Sequence, residues 1–442
     1  EELAVCRHQS TTGQPGRICN PTQILLTAYT NRAVDEICAM LCDLFPSVEG
    51  QRKMFLRLGK ASSCDARFHP FLLDTVLADS CKLCEAQRII EETPIVVATT
   101  SMLLTQPYIL ELKHFSLAVV DEASQILEPT VVGILSHPAI ERFVLVGDHK
   151  QLPAVVQQAP GQTVVGDPLL NAIGLEDCRQ SLFERLLRWE QRQRRTRFTG
   201  TLHTHGRMHP QVALFPLEHF YRREKLYPVP LPHQQELSLG YDQPAADTLD
   251  EQLKSNRLLF LPCQGDEETE ALLVADVLRR IYRFTASRFD PDRTVGVIVP
   301  YRRQIALIRQ ALTSSPTCRH LPETPHPSSL IPHPSSLTPH PSSLIPHPSP
   351  LSRITIDTVE RYQGSQRDVI IYSFAISHRY QLDFLTATTF TDEDGTLVDR
   401  KLNVALTRAR RQMIITGRPD LLAAVPLFRQ LMQEYGTENN PS

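Results

Sequence analysis

The chain has 442 residues, more than one hydrophobic core usually organises, so two domains of roughly 150 to 200 residues are expected. Hydrophobic residues make up 41% and charged residues 21%, which excludes a wholly disordered or fibrous chain. Lys and Arg total 46 against 49 Asp and Glu, a net charge of -3, so no bulk positive field marks a nucleic-acid partner and any such binding must use a local groove.

No uninterrupted apolar stretch approaches the roughly 20 residues of a membrane span, and no basic-then-apolar leader opens the chain. The expected address is cytoplasmic, or nuclear in a eukaryote. The ten cysteines are scattered, and Cys38 and Cys42 lie inside an apolar run, which suits reduced core thiols better than disulfides. Cys81 and Cys84 form a lone CxxC, better explained by chance than by zinc.

In chain order, the runs Gln23 to Ala28, Pro94 to Ala98, Leu117 to Val120 and Phe143 to Val146 are short and apolar, as expected of strands buried on both faces. Each ends in polar residues. Ligands of open α/β sheets bind beyond the carboxyl ends of the strands, so Thr30 and Asn31, Thr99 to Ser101, Asp121 and Glu122, and Gly147 and Asp148 should crowd one edge. Val295 to Val299, Ile354 to Ile356, Asp368 to Ser373 and Gln412 to Thr416 repeat the pattern. The Gly- and Pro-containing stretch between Pro153 and Ser181 separates the halves, giving domains 1–170 and 171–436. The heptapeptide Pro325-His326-Pro327-Ser328-Ser329-Leu330-Ile331 recurs from Pro332, Pro339 and Pro346, so residues 315–352 read as a flexible, polyproline-like insertion in the second domain.

Val119-Val120-Asp121-Glu122 places two carboxylates at a strand end, where one can hold Mg²⁺ through water and the other can deprotonate an attacking water. Alone, the pair fits a helix cap equally well. The next strand runs into Gly147-Asp148-His149-Lys150-Gln151-Leu152-Pro153, and a simple turn does not call for that string. Arg185, Arg188, Arg192, Arg194, Arg195 and Arg197 form a basic segment that reads as a solvated helix face more readily than as a channel rim.

The string at Gly147 resembles the third motif of the superfamily 1 helicases, and the resemblance extends along nearly the whole chain. Leu26 to Glu36 is similar to motif Ia, implying backbone contacts to nucleic acid from Thr30 and Asn31. Thr99 and Thr100 are similar to motif Ic, and Arg207-Met208-His209-Pro210 to motif IV, with His205-Gly206 where the family has Gln-Tyr. Tyr301 and Arg302 match a turn near the bound strand. Ile356 to Gln366 resembles motif V, with Thr358 facing nucleic acid and Gly364 approaching the nucleotide; Gln366 stands where the family usually has an acid. Leu402 to Arg410 resembles motif VI. The wording is closest to the 1B branch, which includes the nonsense-mediated-decay helicase and the replication nuclease-helicase.

The resemblance implies two RecA-like parallel-sheet domains of the P-loop NTPase class around an ATP cleft. It implies Mg²⁺ on Asp121 through water, Glu122 as base, Gln151 as phosphate sensor, Arg207 and Arg408 as arginine fingers, and Asp148, Gly364 and Gln366 near the nucleotide. The implied activity is ATP-dependent translocation on single-stranded DNA or RNA, 5′ to 3′ by analogy, with DNA versus RNA undecided. No GxxxxGK[ST] phosphate loop occurs in the sequence. The family places it ahead of motif Ia, and Glu1 to Arg7 looks like the tail of the intervening helix. The expectation is a truncated first domain whose loop, and any accessory or nuclease domain, belong to a fused or separate N-terminal segment, leaving this chain alone inactive. The alternative is a non-catalytic nucleic-acid- or partner-binding remnant of such a core.

Overall fold

The structure, a computed structural model, describes residues 23–45, 47–78, 82–314, 349–393 and 395–436. The helix tail at Glu1 to Arg7, Cys81, and the repeats as far as residue 348 lie outside the described residues. Contacts divide the chain into two compact units: residues 153–193 join the first unit with the chain up to His149, whereas residues 150–152 join the second with the chain from Arg194. The division at Gln193 falls later than the 170/171 boundary expected. The helix Leu182–Arg192, capped by Ser181, explains this, since Leu182 packs with Val120, Ala123, Ile126 and Val131 of the first unit.

In the first unit β1 (Ile24–Ala28), β2 (Phe55–Arg57), β3 (Ile95–Thr99), β4 (Leu117–Asp121) and β5 (Phe143–Leu145) form a parallel sheet of order β2-β3-β1-β4-β5. Side chains alternate between its two faces. Val96 and Ala98 enter a core with Leu25, Leu103, Phe115 and Ala118, while Ile95 and Val97 enter another with Val34, Cys38, Phe55 and Phe71. The expectation of full burial fails for β5, where Phe143 and Val144 are each 46% exposed. Among the described residues that strand is the sheet's end and pairs only with β4.

The second unit has a two-stranded pair, β6 (Thr204–His205) with β7 (Tyr227–Pro228), and a main sheet. The main sheet is built from β8 (Leu258–Pro262), β9 (Val295–Val299), β10 (Thr355–Thr358), β11 (Arg367–Ser373) and β14 (Ala409–Gly417), in the parallel order β10-β9-β11-β14-β8. A second pair, β12 (Thr389–Thr391) with β13 (Leu397–Asp399), precedes the last helix of the catalytic strings. Strands β2 and β8 escaped the sequence reading because Phe-Leu-Arg and Leu-Leu-Phe-Leu lack β-branched residues and suit a buried helix as well. Gly296 in β9 is obligatory, because a Cβ there would lie 1.7 Å from Tyr362 Oη.

Helix Glu267–Thr285 covers one face of the main sheet, with Asp266 as cap. From its first turn the buried Glu270 accepts from Ser373 Oγ (2.6 Å), Thr416 Oγ1 (2.8 Å) and Ala375 N (3.1 Å), tying together the carboxyl ends of β11 and β14. The insertion is shorter than expected at its far end. Ser349 caps a turn at Pro350–Arg353, and Leu351 is buried beside Ile354 and Ile356, because its apolar side chain has a core to enter.

Cys38, Cys42, Cys64, Cys84, Cys178 and Cys263 are free thiols, and burial pushes Cys38 up to about 12. No helix among the described residues is long and apolar enough to cross a membrane.

Candidate functional site

Parallel register decides which residues meet at the carboxyl edge of the first sheet. Ala28 pairs with Thr99 on one side and Asp121 on the other, so the ends of β1, β3 and β4 lie level. Thr30 is the cap of helix Asn31–Leu44, accepting from Ala33 N at 3.1 Å, so the cap is Thr30 and Asn31 is the first helical residue. Both are exposed. The motif Ic hydroxyls differ: Thr99 Oγ1 accepts from Met102 N at 3.2 Å as a helix cap, and Thr100 is buried at 1% exposure. Neither offers a free surface hydroxyl: that of Thr99 caps the helix, and that of Thr100 is buried without a hydrogen-bond partner among the described residues.

Asp121 is half-buried and accepts from Glu122 N at 2.9 Å. Burial raises its carboxyl above the ordinary range, and the backbone bond only partly offsets that. Its other oxygen takes no hydrogen bond among the described residues, so the donor set suits a water-coordinated divalent cation, whose charge would relieve the desolvation. Glu122 is held at φ 50°, ψ 36°, a left-handed conformation that costs a non-glycine residue about 1 kcal/mol. Its carboxylate Oε2 accepts from Gln125 Nε2 at 2.7 Å. The end of β5 backs this turn: Ala123 N donates to Val146 O at 2.8 Å and Asp148 N to Ser124 Oγ at 3.3 Å. The Asp-Glu pair therefore does not cap a regular α-helix.

In the second unit, Arg408 is 2% exposed at the end of helix Arg400–Leu406. Its Nε donates to Val404 O at 2.9 Å, and Nη2 donates to Thr407 Oγ1 and Gln151 Oε1, both at 3.0 Å. Gln151 is thus brought onto motif VI by the segment 150–152. Sequence reasoning missed what holds that segment. Lys150 is 1% exposed; its Nζ lies 2.7 Å from Glu224 Oε1 and 3.3 Å from Asp392 Oδ2, and donates to Phe220 O at 2.9 Å. Asn403 Nδ2 donates to Lys150 O and to Tyr221 Oη, both at 2.8 Å. Asn403 was detectable as the one polar residue in Leu402 to Leu406, whereas Glu224 and Asp392 carry no local signal.

Arg207 is half-buried, donating from Nε to Gln366 Oε1 at 3.2 Å and from Nη1 to Thr407 O at 3.4 Å. The amide oxygen of Gln366 thus keeps the acceptor that a carboxylate would supply, without its charge. Gly364 sits at φ 76°, the left-handed turn into β11 that glycine allows. Thr358 is half-buried, and its hydroxyl makes no cap bond. Tyr301 is packed, its ring stacked on Phe384 at 5.0 Å and its Oη donating to Gln381 O at 3.1 Å, while burial pushes it up to about 12. Arg302 is exposed at the start of helix Arg302–Ser314. In the basic segment, Arg185 pairs with Glu128 and Arg188 with Glu184 in largely buried ion pairs, so this part of the helix is not the solvated face expected; Arg192 pairs with Glu176 at the surface.

Residues 178–420, more than half of the chain, match the profile of an AAA-domain family, and residues 81–159 match a second AAA-domain profile. The chain belongs to the AAA-domain family of superfamily 1B helicase type. Among its relatives, the DNA replication ATP-dependent helicase/nuclease DNA2 of Xenopus laevis is 28% identical over 466 residues, covering 97% of this chain and 37% of that protein. Its Homo sapiens counterpart is 25% identical, covering 97% of this chain and 36% of that protein. The regulator of nonsense transcripts 1 homolog of Arabidopsis thaliana is 27% identical over 332 residues, covering 73% and 21%. The chain thus spans about a third of the length of the first of these relatives. The AAA-domain matches take in Asp121, Glu122, Gln151, Arg207, Gln366 and Arg408.

Proposed function

We propose that these residues form the hydrolytic and coupling parts of an ATP-dependent helicase acting on single-stranded DNA or RNA. The observation that carries this is the hydrogen bond between Gln151 and Arg408, which joins the sensor and finger positions of two motifs 257 residues apart. Bound ATP would supply the phosphoanhydride whose hydrolysis drives movement, with Mg²⁺ neutralising its charge. Asp121 would hold the cation through its water shell, and Glu122 would take the proton of the attacking water. Gln151 and Arg408, which satisfy each other here, both turn to the terminal phosphate. Arg207 adds a second guanidinium, steadied by Gln366. Thr30, Asn31, Arg302 and Thr358 carry nucleic-acid backbone contacts, with little base readout and movement 5′ to 3′.

The test is ATP hydrolysis by the chain with and without single-stranded DNA or RNA, with Glu122→Gln as control, together with anisotropy of a labelled oligonucleotide. Strand-stimulated turnover lost in the variant supports the reading. Oligonucleotide binding without turnover, in this chain and in one supplied with a GxxxxGK[ST] segment, favours the non-catalytic alternative, to which the uncharged Gln366 already leans.

A further inference from the structure

At the amino ends of β11 and β14, the same end of the main sheet as Gln366 and Arg408, a cavity of about 60 Å³ is lined by Tyr241, Thr285, Arg288, Thr294, Asp368 and Arg411, with Leu239 and Val369 closing it. That volume holds roughly four to six waters at the 10–15 Å³ each requires, which is also space for one tetrahedral oxyanion. The surrounding charge is uneven. Arg257, buried behind the cavity, is spent on the carbonyls of Glu236, Ser238 and Arg411. Arg410 pairs with Asp368 at 3.0 Å, and Arg411 Nη2 pairs with Glu236. Arg288 donates from Nη2 to the carbonyls of Leu239 and Gly240. Four guanidiniums are therefore set against two carboxylates.

Two further features favour an anion in this cavity. Arg411 Nε is buried without a hydrogen-bond partner, an orphan donor that ordinarily costs about 1–3 kcal/mol. Burial first, and the adjacent Arg411 charge second, hold Arg257 below its ordinary value, a like-charge strain that an anion between the arginines would relieve. Asp368 narrows the choice among oxyanions. A fully ionised sulfate repels this carboxylate, whereas a phosphate that keeps a proton donates it to the carboxylate.

We propose that this cavity is a binding site for a small protonated oxyanion, inorganic phosphate. Arg288 and Arg411 donate to its oxygens, the Thr294 hydroxyl adds a third donor, and Asp368 accepts its proton. The site lies on the same β14 that begins at Ala409, directly after Arg408, but its occupancy does not depend on the proposed hydrolysis.

The experiment is calorimetric titration of the 442-residue chain, in chloride buffer, with potassium phosphate and with potassium sulfate at equal ionic strength. One saturable phosphate site is expected, at least fivefold tighter than sulfate. Loss of two charge-assisted bonds in Arg288→Gln should weaken phosphate at least tenfold. Asp368→Asn should abolish the preference for phosphate over sulfate, a ratio that mere destabilisation would not change. Arg207→Ala should leave the binding intact, which separates this site from the nucleotide residues. Equal, non-saturating responses to the two anions, unaltered selectivity in Asp368→Asn, or loss of binding in Arg207→Ala would each overturn the proposal.

Discussion

Arg408 Nη2 donates to Gln151 Oε1 at 3.0 Å, so the buried guanidinium of one catalytic string and the amide of another satisfy each other. Removing either leaves its partner short of a bond. In the chain supplied with a GxxxxGK[ST] segment, Gln151→Ala and Arg408→Ala are each expected to lower strand-stimulated ATP turnover at least 100-fold, and the double variant should cost far less than the product of the two. Independent, multiplicative losses in steady-state assays would mean that the two side chains do not act as a unit.

Lys150 is expected to hold Gln151 in reach. Lys150→Met removes the buried ammonium that faces Glu224 and Asp392 and should reduce unfolding free energy by about 3–5 kcal/mol in urea. Asn403→Ala is milder, about 1–3 kcal/mol, because it leaves the Lys150 carbonyl without a donor. A Lys150→Met chain as stable as the parent would show that the ion pairs contribute nothing.

The left-handed backbone at Glu122 gives a test independent of chemistry. With the carboxylate removed in both, Glu122→Gly should be more stable than Glu122→Ala by about 1 kcal/mol, since only glycine takes φ 50° without Cβ strain. Equal thermal midpoints would indicate that the turn relaxes. Both variants should lack turnover.

Asp399 caps helix Arg400–Leu406 through Leu402 N at 3.0 Å, and burial raises its carboxyl from 3.8 to about 6. The folded chain therefore holds this proton more tightly than the unfolded one. The stabilisation is fully present below pH 3.8 and is lost as pH rises through about 6, a change of about 3 kcal/mol. Between pH 4 and pH 8 the parent should lose that much more stability than Asp399→Asn in urea titrations. Parallel pH curves for the two proteins would contradict the assignment.

The alternation of Ile95, Val96, Val97 and Ala98 between two cores was legible in the sequence, because β-branched runs bounded by polar residues admit few other structures. So were the strings at Asp121, Gly147, Arg207 and Leu402. Strand β8 was not, since Leu-Leu-Phe-Leu carries no β-branched residue to exclude a helix. The fate of Thr100 was also hidden: a hydroxyl after a strand can face solvent or enter a core, and only packing chooses.

The sequence by itself determined the parallel α/β class and the identity of the residues available for phosphate chemistry, because both follow from local periodicity and short strings. Tertiary structure alone decided which of them meet. Residues 150–152 leave the first unit's run of contacts for the second, where Lys150 finds Glu224 and Asp392 at separations of 74 and 242 positions. No local pattern encodes such pairs. A buried ammonium needs charges around it, and which distant carboxylates supply them is settled only when the chain has folded.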